Sequence, residues 1–200
     1  MLSPRTFRAF AYLLVMTGIV IVPRATFAQD PHGHRAMIAE FPIPESIRAE
    51  HKDIHDELVA ATGLSGRTGE AARNLARILE PHFVREEQIA LPPLGLLGPL
   101  SRGTFNPLMS EIIFLTDSLH AEMPRMLAEH KAIRQATLDL ESAARSEQNS
   151  AVLALAGKLK VHALTEEEVL YPAAMIVGDL VKLRDLQNQK PRGTSSGKRQ

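Results

Sequence analysis

Two stretches of the chain carry one eleven-residue pattern. "HFVREEQIALP" from His82 and "HALTEEEVLYP" from His162 both read His-x-x-x-Glu-Glu-x-x-x-x-Pro, eighty residues apart. Residues four apart on a helix share a face, one turn above the other, with Cβ atoms ~5–6 Å apart. His82 with Glu86, and His162 with Glu166, can therefore each offer an imidazole and a carboxylate to one ion. Alone, such a pair is ordinarily a surface contact worth about 0.2–0.5 kcal/mol. The repeat is wider than the pair, however. "AEHKDI" at Ala49 recurs as "AEHKAI" at Ala128, so His51 precedes His82 by 31 residues and His130 precedes His162 by 32. Each half supplies one histidine and one His-x-x-x-Glu, and a duplication with matched spacing is hard to obtain by chance.

Four histidines (His51, His82, His130, His162) and two glutamates (Glu86, Glu166) suit two ions better than one. Two imidazoles per ion, both carboxylates bridging, and an oxo or hydroxo bridge leave one octahedral position open. Burying these groups without a metal would cost several kcal/mol. Phe83 and Ile89 flank one motif and Leu164, Val169 and Leu170 the other, which argues for inward faces. Neutral imidazole suits iron, copper or zinc, and mixed nitrogen/carboxylate sites with open positions are typical of non-haem iron. Zinc and manganese remain alternatives. His55, four after His51, is a further candidate ligand, but the matching position in the second half is Arg134. Glu87 and Glu167, one step round the helix, are expected beside the ligands or in solvent. His120 is separated from His130 by Pro124, and His32 and His34 lie near the N-terminus. Met109, Met123 and Met126 read as core filler, and Tyr171, just past the second motif, as ordinary packing or, alternatively, as a residue lining the pocket. The absence of cysteine excludes thiol catalysis, thiolate zinc sites and disulfides.

The elements that must position these groups are helical. "PESIRAEHKDIHDELVAATG" has Pro44 at a first helical position and stops at Gly63. "EAARNLARILEPHFVREEQIAL" keeps Leu75, Ile78, Phe83 and Ile89 near helical spacing, with Pro81 inside it to kink the helix or remove a bond. "PPLGLLGPLSRGTFN" reads as an apolar connector. Asn106-Pro107 starts a long third helix to about Ser146, with a kink expected at Pro124. Asn149 or Ser150 caps a fourth, "AVLALAGKLKVHALTEEEVLY"; Pro172 interrupts it and "AAMIVGDLVKLRDL" continues as a short fifth segment. No stretch sustains a period of two. The expectation is an all-α bundle of four main helices with a short C-terminal helical extension.

Two hundred residues, 44% of them hydrophobic, make one domain with a packed core. Arg5 and Arg8 precede the apolar run "AFAYLLVMTGIVIV", and Thr26 and Ala28 are small residues placed for a cut after Ala28. The run is shorter than the ~20 residues of a membrane span, so residues 1–28 read as a signal peptide, with a retained anchor as the alternative. Residues 29–43 follow as a linker, 44–186 as the bundle and 187–200 as a disordered basic tail. The expected protein is exported, periplasmic or secreted, with no membrane span after cleavage. Residues 1–28 hold three arginines and no acid, so the mature chain has 20 basic against 23 acidic residues, a net −3. No domain-wide basic surface is present for nucleic acid.

Together, "AEHKDI…HFVREEQIALP…AEHKAI…HALTEEEVLYP" resembles the hemerythrin-like domain, the HHE cation-binding family, from roughly Ala39 to Asp185. Ferritin-like di-iron proteins use Glu-x-x-His; the order here is His-x-x-x-Glu. The resemblance implies an up-down four-helix bundle holding two non-haem iron ions through His51, His82, Glu86, His130, His162 and Glu166. Oxygen-carrying hemerythrins have five histidines, with His-x-x-x-His on the third helix, where this chain has His130 and Arg134. The set of four histidines and two glutamates looks more like the branch linked to nitric-oxide response and iron-centre repair. That branch is cytosolic and usually carries a cysteine-bearing domain, and this chain has no cysteine. The implied ligand is small: O2, NO or a reactive oxygen species. The alternatives are a di-iron oxidoreductase (ferroxidase, or peroxide or NO reductase) and a bundle that metal merely staples.

Overall fold

The computed structural model describes residues 38–189, which are helical with no strand among them. The signal-peptide reading and most of the linker and tail lie outside the described residues. Four long helices form the bundle: α1 (Glu45–Thr62), α2 (Gly66–Arg85), α4 (Ile112–Ser146) and α5 (Ser150–Thr165). A short α3 (Leu97–Ser101) lies in the connector, and α6 (Tyr171–Gln189) follows α5. Each long helix packs on its neighbour in sequence, and α1 also packs on α5, which closes the ring.

Local chemistry sets the boundaries. Asn106 accepts a hydrogen bond from the Leu108 amide at 2.9 Å, and Pro107 opens a 3-10 turn that leads into α4. Asn149 accepts from the Val152 amide at 3.1 Å and caps α5. Helix α2 starts earlier than its sequence suggests, because its cap comes from another part of the chain. Glu147, just past α4, accepts the Arg67 and Thr68 amides at 2.8 and 3.1 Å, and Gly66 turns into the helix at φ +74°. Pro81 and Pro124 both sit within continuous helix.

Pro172 does not interrupt the fourth helix. A wide π turn, Glu166–Leu170, carries α5 directly into α6, and a second such turn, Glu86–Ala90, ends α2. Each begins on the glutamate of the repeated motif, and each is followed two residues later by the motif's proline. A proline ring clashes with the carbonyl four residues before it. The i→i+5 bonds that close these turns, Leu91 N–H to Glu86 O at 2.9 Å and Tyr171 N–H to Glu166 O, widen the helix just before Pro92 and Pro172. The C-terminal extension is accordingly a 19-residue helix rather than a short segment, and it runs through Gln189.

Helix α6 packs on α4 and on the connector. Gly178 permits the approach: a Cβ there would lie 2.1 Å from Thr116 Oγ1. Leu96, Leu100, Met109, Ile112, Val177 and Val181 form one apolar cluster of this layer, and Leu91, Leu94, Leu119, Met126 and Ala174 another. The third cluster, with Ile54, Leu58, Leu75, Leu79, Ile133, Leu140 and Leu155, joins the four long helices. Met109 and Met126 are core filler, as their spacing suggests.

Candidate metal centre

Among the described residues, nine polar or charged side chains are buried; three are threonines, and the other six are His51, His82, Glu86, His130, His162 and Glu166. Each histidine sits beside core residues of its own helix. On α4, His130 falls between Met126 and Ile133; on α1, His51 shares the inward stripe with Ile54 and Leu58. Phe83 stacks on the His51 ring at 4.4 Å between centroids. Leu164 and Val169, read from sequence as apolar support, are instead exposed; Leu159 and Ala163 hold the buried face of α5.

The six side chains form two groups that share both carboxylates. His51, His162, Glu86 and Glu166 each offer an atom within 4.8 Å of the others, and so do His82, His130, Glu86 and Glu166. The pairing crosses the duplication, since each group takes one histidine from each half. The His51 and His162 ring centroids are 4.9 Å apart, and those of His82 and His130 4.6 Å. Glu166 Oε1 lies 3.2 Å from His51 Nε2 and 3.0 Å from His162 Nε2, while its Oε2 lies 3.4 Å from His130 Nε2. Glu86 Oε1 lies 3.3 Å from His82 Nε2 and 3.8 Å from His130 Nε2.

Electrostatics ties these groups together. Burial pulls the His130 imidazole down, but hydrogen bonds to Glu166 and Glu86 outweigh it and raise its pKa to about 10. His82 and His162 are raised in the same way, against burial, by Glu86 and Glu166 respectively. Burial pushes Glu166 up, yet His130, His162 and His51 together hold it well below the usual carboxylate range. Without metal, His82, His130 and His162 are thus favoured in the protonated form and Glu166 in the ionised form, with positive charge where a cation could sit.

The donor set fits a metal. His82 Nε2, His162 Nε2 and Glu86 Oε2 are buried and make no well-aligned hydrogen bond, although each faces an opposite group of the cluster at 3.0–3.9 Å. A cation between the two groups would engage these three atoms directly. An all-imidazole and carboxylate set without sulfur suits borderline and harder divalent ions.

Outside this layer, a carboxylate faces the Nδ1 of each histidine. Glu129 lies 2.9 Å from His82, Glu167 2.8 Å from His130, Glu50 3.4 Å from His162 and Glu87 3.8 Å from His51. Glu87 and Glu167 thus sit behind the histidines. Glu50 and Glu129 were not singled out by spacing, although each stands in the repeated "AEHK", before His51 and His130 rather than beside the histidine it faces; the signal was the repeat itself.

One expectation changes. His55 is exposed and faces Asp56, not the cluster. The inward stripe of α1 runs His51, Ile54, Leu58, and the residue four after His51 falls at its edge. Of the two readings of Tyr171, the one that lines the pocket agrees with the structure: its hydroxyl donates to Glu86 and lies 3.0 Å from His130 Nε2. Burial, with the Glu86 and Glu166 carboxylates near it, pushes its pKa far up, so the phenol stays protonated. His120 is exposed and outside the site.

The model of the hemerythrin HHE cation-binding domain matches residues 42–174, most of the chain and all six side chains. The chain belongs to the hemerythrin HHE family. None of the curated proteins and none of the solved structures matches it at a significant level. Family membership and the two His/Glu groups together make this a metal-binding helical bundle.

Proposed function

We propose that this hemerythrin-family chain is an exported non-haem di-iron protein, built as an up-down four-helix bundle, that binds or scavenges O2, NO or a reactive oxygen species. One observation carries the reading: two groups of two histidines share the same two glutamates, Glu86 and Glu166. His51 and His162 would hold one iron, His82 and His130 the other, with both carboxylates common to the pair. Bound iron supplies redox-active positions for a small diatomic or peroxidic ligand. The protein's own part is to fix those donors in a buried layer and to wall it with Phe83 on one side and Tyr171 on the other.

Export rests on the N-terminal sequence pattern. Among the described residues, no helix is long and apolar enough to cross a membrane.

A second reading, turnover at the same positions, draws on Tyr171. A buried phenolic O–H between Glu86 and His130 Nε2 can hold or pass a proton inside the cluster, as a ferroxidase or a peroxide or NO reductase requires.

Elemental analysis of the mature chain from Gln29, purified without chelators, tests the proposal. Two irons per chain, with spectral change when NO or O2 meets the reduced protein, is the expected result. One zinc, or no metal, would sink it in favour of a structural bundle. Peroxide or NO consumed beyond one equivalent would move the assignment to the enzyme.

A further inference from the structure

The duplication is near-symmetric in its ligands and asymmetric in what stands behind them. Glu129 and Glu167 hydrogen-bond His82 Nδ1 and His130 Nδ1 at 2.9 and 2.8 Å. Both are only about a quarter exposed, and both are pinned by arginine. Arg125 Nε donates to Glu129 at 2.9 Å and Arg134 donates to Glu167; Arg85 stands near, its Nε 3.7 Å from Glu129, but donates to Glu122. The corresponding glutamates of the other group are loose. Glu50 lies 3.4 Å from His162 Nδ1 and is 46% exposed, and Glu87 lies 3.8 Å from His51 Nδ1 and is 54% exposed. His51 Nδ1 has no hydrogen-bond partner at all, and no arginine reaches Glu50 or Glu87 among the described residues.

The sequence shows how this arose. At the repeat offsets of 79 and 80, Arg125, Arg134 and Arg85 correspond to Ser46, His55 and Thr165. None of the three arginines therefore has an arginine or lysine counterpart in the other half. The mismatch of His55 with Arg134 is the difference that leaves Glu87 untethered; the other two fall beside Glu50.

A carboxylate on Nδ1 fixes the tautomer that presents the Nε2 lone pair, locks the ring's rotation and makes the imidazole a stronger donor. Removing such a partner typically costs ~10–100-fold in metal affinity. Building on the two-ion reading above, we infer that the two positions are unequal: the His82/His130 position fills first and retains its ion, while the His51/His162 position exchanges. Glu129 and Glu167 are the positioning residues responsible, with Arg125 and Arg134 holding them.

The test loads full-length protein anaerobically with ferrous iron and follows release to excess chelator. Wild type should lose its metal in two phases of equal amplitude whose rates differ by ~10-fold or more. Glu129→Gln with Glu167→Gln should speed the slow phase by a similar factor; Glu50→Gln with Glu87→Gln should leave it within about twofold. Arg134→His, which copies the first half, should speed it alone, and unchanged thermal melts of the metal-free variants keep the readout on metal rather than on folding. Two ions leaving in a single phase, or a slow phase answering to Glu50 and Glu87, overturns the ordering and leaves the di-iron reading standing. A single bound ion weakened only by the Glu129 and Glu167 changes supports the ordering and overturns the two-ion reading. No bound iron overturns both.

Discussion

Tyr171 Oη stands 3.0 Å from His130 Nε2 and donates to the Glu86 carboxylate, so three elements meet at one hydroxyl. The tyrosine opens α6, the histidine belongs to α4 and the glutamate begins the π turn after α2. In a regular helix a residue five beyond Glu166 would face elsewhere. The π turn, one residue wider, returns Tyr171 to the same side as Glu166.

Tyr171→Phe keeps the ring and removes only that hydroxyl. In the metal-free protein it should cost about 1–3 kcal/mol, the penalty of leaving a buried carboxyl and an imidazole short of a partner. Urea unfolding of the two proteins measures it. Equal midpoints would mean that the hydroxyl contributes nothing to the layer.

The cross-half pairing makes a prediction that pairing within each half does not. His51→Ala with His162→Ala should leave one ion bound, because the His82/His130 group remains intact. His51→Ala with His82→Ala damages both groups and should leave well under one. Glu166→Ala, which also touches both, should behave like the second double variant. Metal analysis after desalting decides; equal retention in the two double variants would refute the pairing.

Stability without metal should follow pH in a defined direction. His130 titrates at about 10 when folded and near 6.5 when unfolded, and His82 and His162 are also raised. Their contribution is complete below pH 6.5 and is lost as pH climbs through the folded values. Glu166 is depressed, so its contribution is present above about 4.5 and is lost in acid. The urea midpoint of the metal-free protein should therefore fall between pH 6.5 and 10. The metal-loaded protein, whose imidazoles have already given up their protons, should not share that fall. Parallel profiles would contradict this account of the cluster.

Much of this was legible in the chain. The helices follow from caps and spacing, and the four histidines and two glutamates from a repeat with matched offsets. What the sequence hid was contact between halves. Glu129 lies beside His130 in the chain but serves His82 on α2, and Glu50 lies beside His51 but faces His162 on α5. Neighbours on a helix diverge by about 100°, so a motif read along one strand of text does not say which histidine its glutamate meets. The π turns were hidden for a different reason. Pro92 and Pro172 are printed in the motif, yet a proline after a helix reads as a stop unless its clash with the carbonyl four residues back is followed through. The early start of α2 depends on Glu147, roughly eighty residues away, and no local rule could supply it.

Two helical glycines should respond to the same substitution with opposite signs. Around Gly157, on the exposed face of α5, an added Cβ meets nothing within 4 Å. Alanine there removes unfolded-chain entropy and should stabilise by about 0.5–1 kcal/mol. Gly178 is buried where α6 crosses α4, and an added Cβ would lie 2.1 Å from Thr116 Oγ1 and 2.5 Å from its Cβ. Because the Thr116 Cβ is fixed to the backbone, side-chain rotation cannot relieve the clash and the helices must separate. Overpacking of this kind costs typically about 1–3 kcal/mol, which outweighs the gain in helix propensity. Denaturant unfolding of Gly157→Ala and Gly178→Ala gives both signs in one experiment. If Gly178→Ala stabilised the protein as Gly157→Ala should, α6 would not be docked on α4 at Thr116, and the placement of Tyr171 in the metal layer would lose its support.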